Sequence, residues 1–419
     1  MAVAAALLSG IAVQGAAASP GDVQAAISAY TAGNPGTTAL VWRLDGTGGG
    51  TQIAGFRADV PRIPASTMKL VTSAASLMQL GPGFRFSTQL LSAPGARIDG
   101  TTLRGAIYLH GAGDPVLATR TYATRYLAGR STSLADLARP LRLRGIRLVR
   151  GPIVADEGLF DSRRTGPGWP SYYTAYASPV SALATNQNFA GNARARHVAD
   201  PPLAAARRLR ATLRGLGVAQ AGPLRVGVTP ARARPLAMAT SPPLRAIVRE
   251  MNLESDNFIA ETLVKGVGAY GAGGGTTAAG TTRARALLQA HRILQPDDRL
   301  VDGSGLSRAN RLSASSLVRL IATADADPVW GSALIASLAH GGEGTLVNRF
   351  RTGPATNRVR AKTGYLNAVS AMAGRVVSRR GQRYAFALVA NSPDIWGART
   401  AQDRIVTLLA AGSEDLAVR

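Results

Sequence analysis

Serine, lysine and asparagine recur in three short segments whose side chains could together carry out acyl transfer. The first is Ser66-Thr67-Met68-Lys69. On a helix, positions i and i+3 share a face, so the Lys69 amine can reach the Ser66 hydroxyl. A free hydroxyl is a poor nucleophile, and a neutral amine beside it is a base able to take its proton. A helix start also offers unpaired N–H groups and a positive dipole end to a developing oxyanion. The second segment is Ser255-Asp256-Asn257. Ser255 could relay a proton, and the Asn257 amide could hold a substrate carbonyl and orient Lys69; an ordinary helix N-cap explains the same residues. The third is Lys362-Thr363-Gly364, at a strand end. Lys362 would place a positive charge in the site, attracting a carboxylate and lowering the pKa of a nearby amine. Gly364 would let an extended substrate lie against the backbone, although a plain turn would use the same residues. Each segment alone is common. Their joint presence, with two of only three lysines (Lys69, Lys265, Lys362) inside them, favours one assembled site.

These segments need elements to hold them. Residues 66–80 read as a helix stopped by Gly81-Pro82-Gly83. Residues 38–44, a Gly-rich turn and a second extended segment read as a β-hairpin. Residues 241–269 read as mostly helical, 359–362, 368–378 and 383–391 as three strands, and 398–411 as a closing helix. Between them, residues 87–237 change character. Short strand-like runs such as 107–110 and 153–155 alternate with Arg-rich helical pieces and Pro/Gly turns.

Composition narrows the chemistry. The chain has 419 residues, enough for two or three domains, with 46% hydrophobic and 17% charged residues, a globular balance. It has no cysteine, which removes disulfides, thiolate metal sites and cysteine nucleophiles. Its four histidines lack the HExxH spacing, so neither a metal nor an organic cofactor is expected. The net charge is +24. Residues 91–237 contain 21 arginines, no lysine and 7 acidic residues, so they carry +14 of it. This basic segment is either a solvated arginine surface or a module attracted to an anionic polymer. Aromatic residues are only 5% and no nucleic-acid-binding module is visible, so nucleic acid is not an expected partner. Residues 1–18 read as the later part of a secretory signal peptide, with Ala16 and Ala18 at cleavage-site spacing; an ordinary buried helix is the alternative.

At the three segments the chain resembles the active-site serine penicillin-recognising enzymes. Five further stretches are GAGDP (111–115), SPVSAL (178–183), ESDNFIAETL (254–263), DGSGLSRANR (302–311) and AKTGYL (361–366). With these it is similar to the D-alanyl-D-alanine carboxypeptidase/endopeptidase family, peptidase family S13, the class C low-molecular-mass penicillin-binding proteins. The likeness runs over about residues 25–412, and the 189 positions from Ser66 to Ser255 match that family's habit of inserting domains between the first two motifs.

The resemblance implies an α+β fold: a transpeptidase-like domain of an antiparallel sheet flanked by helices, built from 20–88 and 238–419, with a mixed, strand-rich basic unit over 89–237. It implies Ser66 as nucleophile, Lys69 as its base, Ser255 and Asn257 as the second motif, and Lys362 and Thr363 as holders of the substrate carboxylate. Gly364 and Tyr365 complete the substrate-binding strand, and the N–H groups of Ser66 and Tyr365 would form the oxyanion hole. The Asp302–Ser307 loop, with Asp302 and Ser304, would support the site. Tyr365 departs from the family, which has a small hydroxylated residue there. His340 matches no catalytic role.

The implied activity is that of a secreted serine DD-carboxypeptidase acting on peptidoglycan stem peptides in the cell envelope. β-Lactams would be covalent inhibitors, and anionic envelope polymers would be candidate partners of the basic segment. The competing readings are a β-lactamase or esterase on the same fold and a non-catalytic wall-binding protein.

Overall fold

The computed structural model describes residues 19–412; the expected signal segment, 1–18, lies outside the described residues. Five antiparallel strands form the principal sheet, in the order Val359–Leu366, Val369–Val377, Arg383–Asn391, Thr37–Leu44, Gly50–Phe56. Both ends of the described chain therefore meet in one sheet. Its central strands are nearly continuous apolar runs because both of their faces are covered.

Side chains alternate across each strand and sort by size. Val41, Val359, Met372 and Phe386 face the helices Pro20–Thr31 and Ile395–Ala411, packing on Ile27, Ile405, Val406 and Leu409. On the opposite face Ala371, Ala373, Ala385 and Ala387 pack with Leu70, Val71, Leu317 and Ile321 of the helices Met68–Leu80 and Ala314–Ala326. Alanine on that face lets the helix bearing Lys69 approach the sheet closely.

A second, mixed sheet has the order Leu224–Val226, Ile153–Asp156, Ile107–His110, Ser87–Ser92, Arg234–Thr240. Its own core contains Leu90, Ile107, Leu109, Ile153, Leu209 and Leu213. The fold is thus α+β, an antiparallel sheet flanked by helices together with a second, mixed sheet formed between residues 87 and 240.

Residues 241–269 are mostly helical, as expected, and form two helices, Leu244–Glu254 and Asn257–Tyr270. The break is Ser255, whose φ of 54° is left-handed and costs a non-glycine residue strain energy. Asp256 then caps the second helix, its carboxylate accepting from the Ile259 N–H at 2.9 Å. The N-cap reading of this segment therefore holds, with Asp256 as the cap, and it leaves the Ser255 and Asn257 side chains free for other contacts. Among the described residues no helix is long and apolar enough to cross a membrane.

Candidate active site

Ser66 sits in a tight 3-10 turn, Ala65–Thr67, that runs directly into the helix Met68–Leu80. Ala65 is left-handed at φ 47°, and Gly305 explains how the turn is held. Gly305 has φ +88°, and a Cβ built on it would lie 1.9 Å from the Ala65 carbonyl oxygen. Only glycine lets the 302–307 loop press against the peptide that carries the Ser66 N–H.

Lys69 follows one turn later and is completely buried. Its ammonium reaches the Ser66 Oγ at 3.1 Å, the Asn257 Oδ1 at 2.6 Å and the Ser304 carbonyl at 2.8 Å. Three acceptors match the three donors of the charged form. Burial pushes the Lys69 pKa down to about 8, against the opposing pull of Asp302, Glu261 and Asp256. On that value about a tenth of the molecules hold a neutral Lys69 at pH 7, able to accept the Ser66 proton across the same contact.

The second buried lysine completes the arrangement. Lys362 donates to the Ser255 Oγ at 3.0 Å and to the Thr363 carbonyl at 2.9 Å. Burial, and then the charge of Lys69, hold its pKa well below the ordinary lysine value. Asn257 spans the site: its Oδ1 accepts from Lys69, and its Nδ2 donates to the Tyr176 carbonyl at 2.9 Å. A cleft of about 220 Å³ opens here, lined by Tyr176, Gln187, Arg194, His197, Ser255 and Asn257.

The strand Val359–Leu366 is the sheet edge beside Ser66. A Cβ on Gly364 would stand 2.8 Å from the Pro64 carbonyl and 3.0 Å from the Ser66 nitrogen, so glycine is needed for the strand and the turn to touch. The Ala361 N–H donates outward from the sheet to the Ala339 carbonyl at 2.9 Å. By the two-residue period of a strand, the N–H groups of Thr363 and Tyr365 point outward as well. That edge is suited to pairing with an extended peptide.

Behind Lys69 lies the 302–307 loop. Asp302, fully buried, accepts from the Gly305 and Ser307 N–H groups, the Asn310 side chain and the Trp169 indole. Ser304 contributes through its backbone: the carbonyl holds Lys69, while Glu261 Oε1 accepts from the Gly303 and Ser304 N–H groups at 3.0 and 2.7 Å. Burial and then the neighbouring Asp302 raise the Glu261 pKa to about 8. Glu261 was legible only as a carboxylate on an otherwise apolar helix stretch, one turn after Asn257.

Residues between 89 and 237 also reach the site, and sequence reasoning missed this. Trp169 hydrogen-bonds Asp302 at 2.8 Å, and Gln187 donates to Asp256 at 2.8 Å. Asn186, Gln187 and Asn188 are consecutive left-handed residues, at φ 53°, 49° and 58°. The Asn-Gln-Asn sequence was the available signal, since asparagine tolerates that region best among non-glycine residues. Lys265, the third lysine, lies apart: it is buried against Asp161 and the Arg163 carbonyl and ties the 161–163 segment to the helix Asn257–Tyr270. Among the described residues no cluster of His, Asp or Glu is placed to hold a metal ion.

Comparison with known proteins matches this chain to the D-Ala-D-Ala carboxypeptidase 3 (S13) family model, over residues 23–196 and 186–412. A D-alanyl-D-alanine carboxypeptidase of Actinomadura sp. (strain R39) is 31% identical, over 83% of this chain and 77% of the relative. A carboxypeptidase of Mycobacterium tuberculosis is 30% identical, over 91% of this chain and 82% of the relative. The crystal structure of penicillin binding protein 4 from Haemophilus influenzae superimposes with a TM-score of 0.74, covering 91% of this chain and 99% of that one. At 23% identity it speaks for the fold alone.

Proposed function

The chain belongs to the D-Ala-D-Ala carboxypeptidase 3 (S13) family and is a serine-type D-alanyl-D-alanine carboxypeptidase, and we propose that it cuts peptidoglycan stem peptides through an acyl-enzyme on Ser66. The observation that carries this reading is the pair of buried lysines, one on each reacting hydroxyl: Lys69 on Ser66 and Lys362 on Ser255.

The stem peptide lies along the outer edge of Thr363 and Tyr365. Neutral Lys69 takes the Ser66 proton as Oγ bonds to the carbonyl carbon of the penultimate D-alanine. The N–H groups of Ser66 and Tyr365 receive the oxyanion. The C–N bond then breaks, and the proton that Lys69 took passes through Ser255, beside Lys362, to the leaving amine of the terminal D-alanine, which returns Lys69 to its neutral form. Water attacks the ester, its proton returns by way of Lys69, and Ser66 is released. The same steps would cut a cross-link whose acyl donor is D-alanine. Thr363 holds the terminal carboxylate, while Asp302 and Ser304 keep the Lys69 pocket in shape.

β-Lactams would acylate Ser66 as substrate mimics, and action on the wall implies an extracytoplasmic location. We read residues 89–237 as an inserted unit. Its arginines, among them Arg147, Arg210 and Arg214 around one cleft that no carboxylate lines, would meet anionic envelope polymers. Salt-independent wall binding would refute that last assignment.

Intact mass after brief exposure to penicillin tests the central claim, with Ser66→Ala alongside. A stable adduct on the wild type only is expected. Rapid loss of penicillin without an adduct would indicate a β-lactamase instead, and neither adduct nor turnover a non-catalytic binder.

A further inference from the structure

Tyr365 stands where the resembling family carries a small hydroxyl, and the structure surrounds it with an unusual group. Ala361, Thr363 and Tyr365 project from one face of their strand, the face on which Ala361 packs against the core beneath the helix Ile395–Ala411. The first turns of that helix bring Trp396 and Arg399 to Tyr365. The Arg399 guanidinium lies 5.7 Å from the centre of the Tyr365 ring and 5.2 Å from that of Trp396. Both rings are open to solvent, Tyr365 at 59% and Trp396 at 75% exposure.

Exposed rings that only cover a core do not need a cation. Here the rings hold a guanidinium. Among the described residues Arg399 makes no ion pair, whereas Asp403, one turn along the same helix, is bound by Arg349. A guanidinium held against aromatic faces keeps its N–H edge free and its rotamers restricted, which suits a planar carboxylate. Lys362 is poorly placed for the whole of that task, because two of its three donors are spent on Ser255 and the Thr363 carbonyl and it is completely buried.

The direction of the substrate brings the carboxylate into this neighbourhood. A peptide pairing antiparallel to the strand, its scissile carbonyl at the Tyr365 N–H, continues toward Thr363. Its terminal carboxylate then lies one residue on, within about 4 Å along the chain. We propose that Arg399, steadied by Tyr365 and Trp396, binds the C-terminal carboxylate of the peptide substrate and takes the place of the short hydroxylated side chain that Tyr365 displaces. The inference rests on the carboxypeptidase reading for the identity of the substrate. Arg399 is a specificity-determining residue in this role and takes no part in proton transfer.

Binding to the Ser66→Ala protein tests this without turnover. The probes are a diacylated tripeptide ending in D-Ala-D-Ala and the same peptide as its C-terminal carboxamide. With Arg399 present, the acid should bind on the order of 10- to 100-fold tighter than the amide, the range of a charge-assisted hydrogen bond. Arg399→Gln, which keeps the chain's bulk, and Arg399→Ala should each remove most of that difference and leave amide binding within about twofold. In the Arg399→Ala background, Tyr365→Thr should restore part of it. Equal loss for acid and amide would make Arg399 merely structural, and an unchanged acid preference would give the carboxylate to Thr363 alone; either overturns the proposal. Failure of the carboxypeptidase reading would show instead as no Ser66-dependent penicillin adduct, a separate measurement.

Discussion

Replacing Gly305 by alanine tests whether the 302–307 loop sets the oxyanion geometry. Two effects combine at this position. Gly305 lies at φ +88°, so any Cβ is strained there, at roughly 1–2 kcal/mol. The new Cβ would also stand 1.9 Å from the Ala65 carbonyl oxygen. That carbonyl belongs to the peptide whose nitrogen is the Ser66 N–H. Relief of the contact needs a retreat of on the order of 1 Å, and misplacement of that size costs about 100-fold in rate. Removing an oxyanion donor altogether costs about 100- to 1000-fold, which bounds the loss from above. Gly353 supplies the control: its φ is +86°, yet a Cβ there meets no atom within 4 Å. Gly353→Ala should lose about 1–2 kcal/mol of stability and acylate normally. Gly305→Ala should lose more stability and acylate about 100-fold more slowly. Stopped-flow acylation by a chromogenic cephalosporin, with urea unfolding of both variants, reads the two quantities. If Gly305→Ala folds and acylates like Gly353→Ala, the loop does not hold the Ser66 peptide and the reasoning is refuted.

Three further outcomes follow from the same geometry. Because burial lowers the Lys69 pKa to about 8, acylation should rise with pH through that region as the amine becomes neutral; a rate that is flat from pH 6 to 9 would remove Lys69 as the base. Glu261 is raised from 4.5 to about 8, so the folded state holds a proton that the unfolded chain releases, and this contribution to stability fades as pH climbs from about 4.5 to 8. Glu261→Gln should flatten the pH dependence of urea stability across that window, and an unchanged slope would contradict the assignment. Trp169→Phe removes one hydrogen bond to Asp302 and should cost about 1 kcal/mol together with slower acylation; a loss of stability alone would detach the insertion from the site.

Some of this protein could be read from residue order because its geometry is local. Ser66 and Lys69 share a helix face whatever surrounds them, since three residues make nearly one turn. The strands at 38–44, 368–378 and 383–391 were legible from their extended apolar pattern, whereas the strand expected to end at 362 runs on to Leu366, because its pairing with Val369–Val377 continues, so Lys-Thr-Gly lies inside it and not at its end. The Asp302–Ser307 loop was foreseen only through family likeness, and its actual contact, a Ser304 carbonyl on Lys69, has no side-chain signature at all.

The rest was decided by packing. Asn257 meets Lys69 across 188 positions, and Lys362 meets Ser255 across 107. No periodicity encodes such distances; they are set by how the helices seat on the alanine face of the sheet. The break at Ser-Asp-Asn has a local cause, since these residues favour caps, but the left-handed φ of 54° at Ser255 is not dictated by residue type and is a tertiary result. The lysines' acidity has the same origin. An exposed Lys69 would keep its proton at neutral pH; complete burial is what lowers its pKa to about 8.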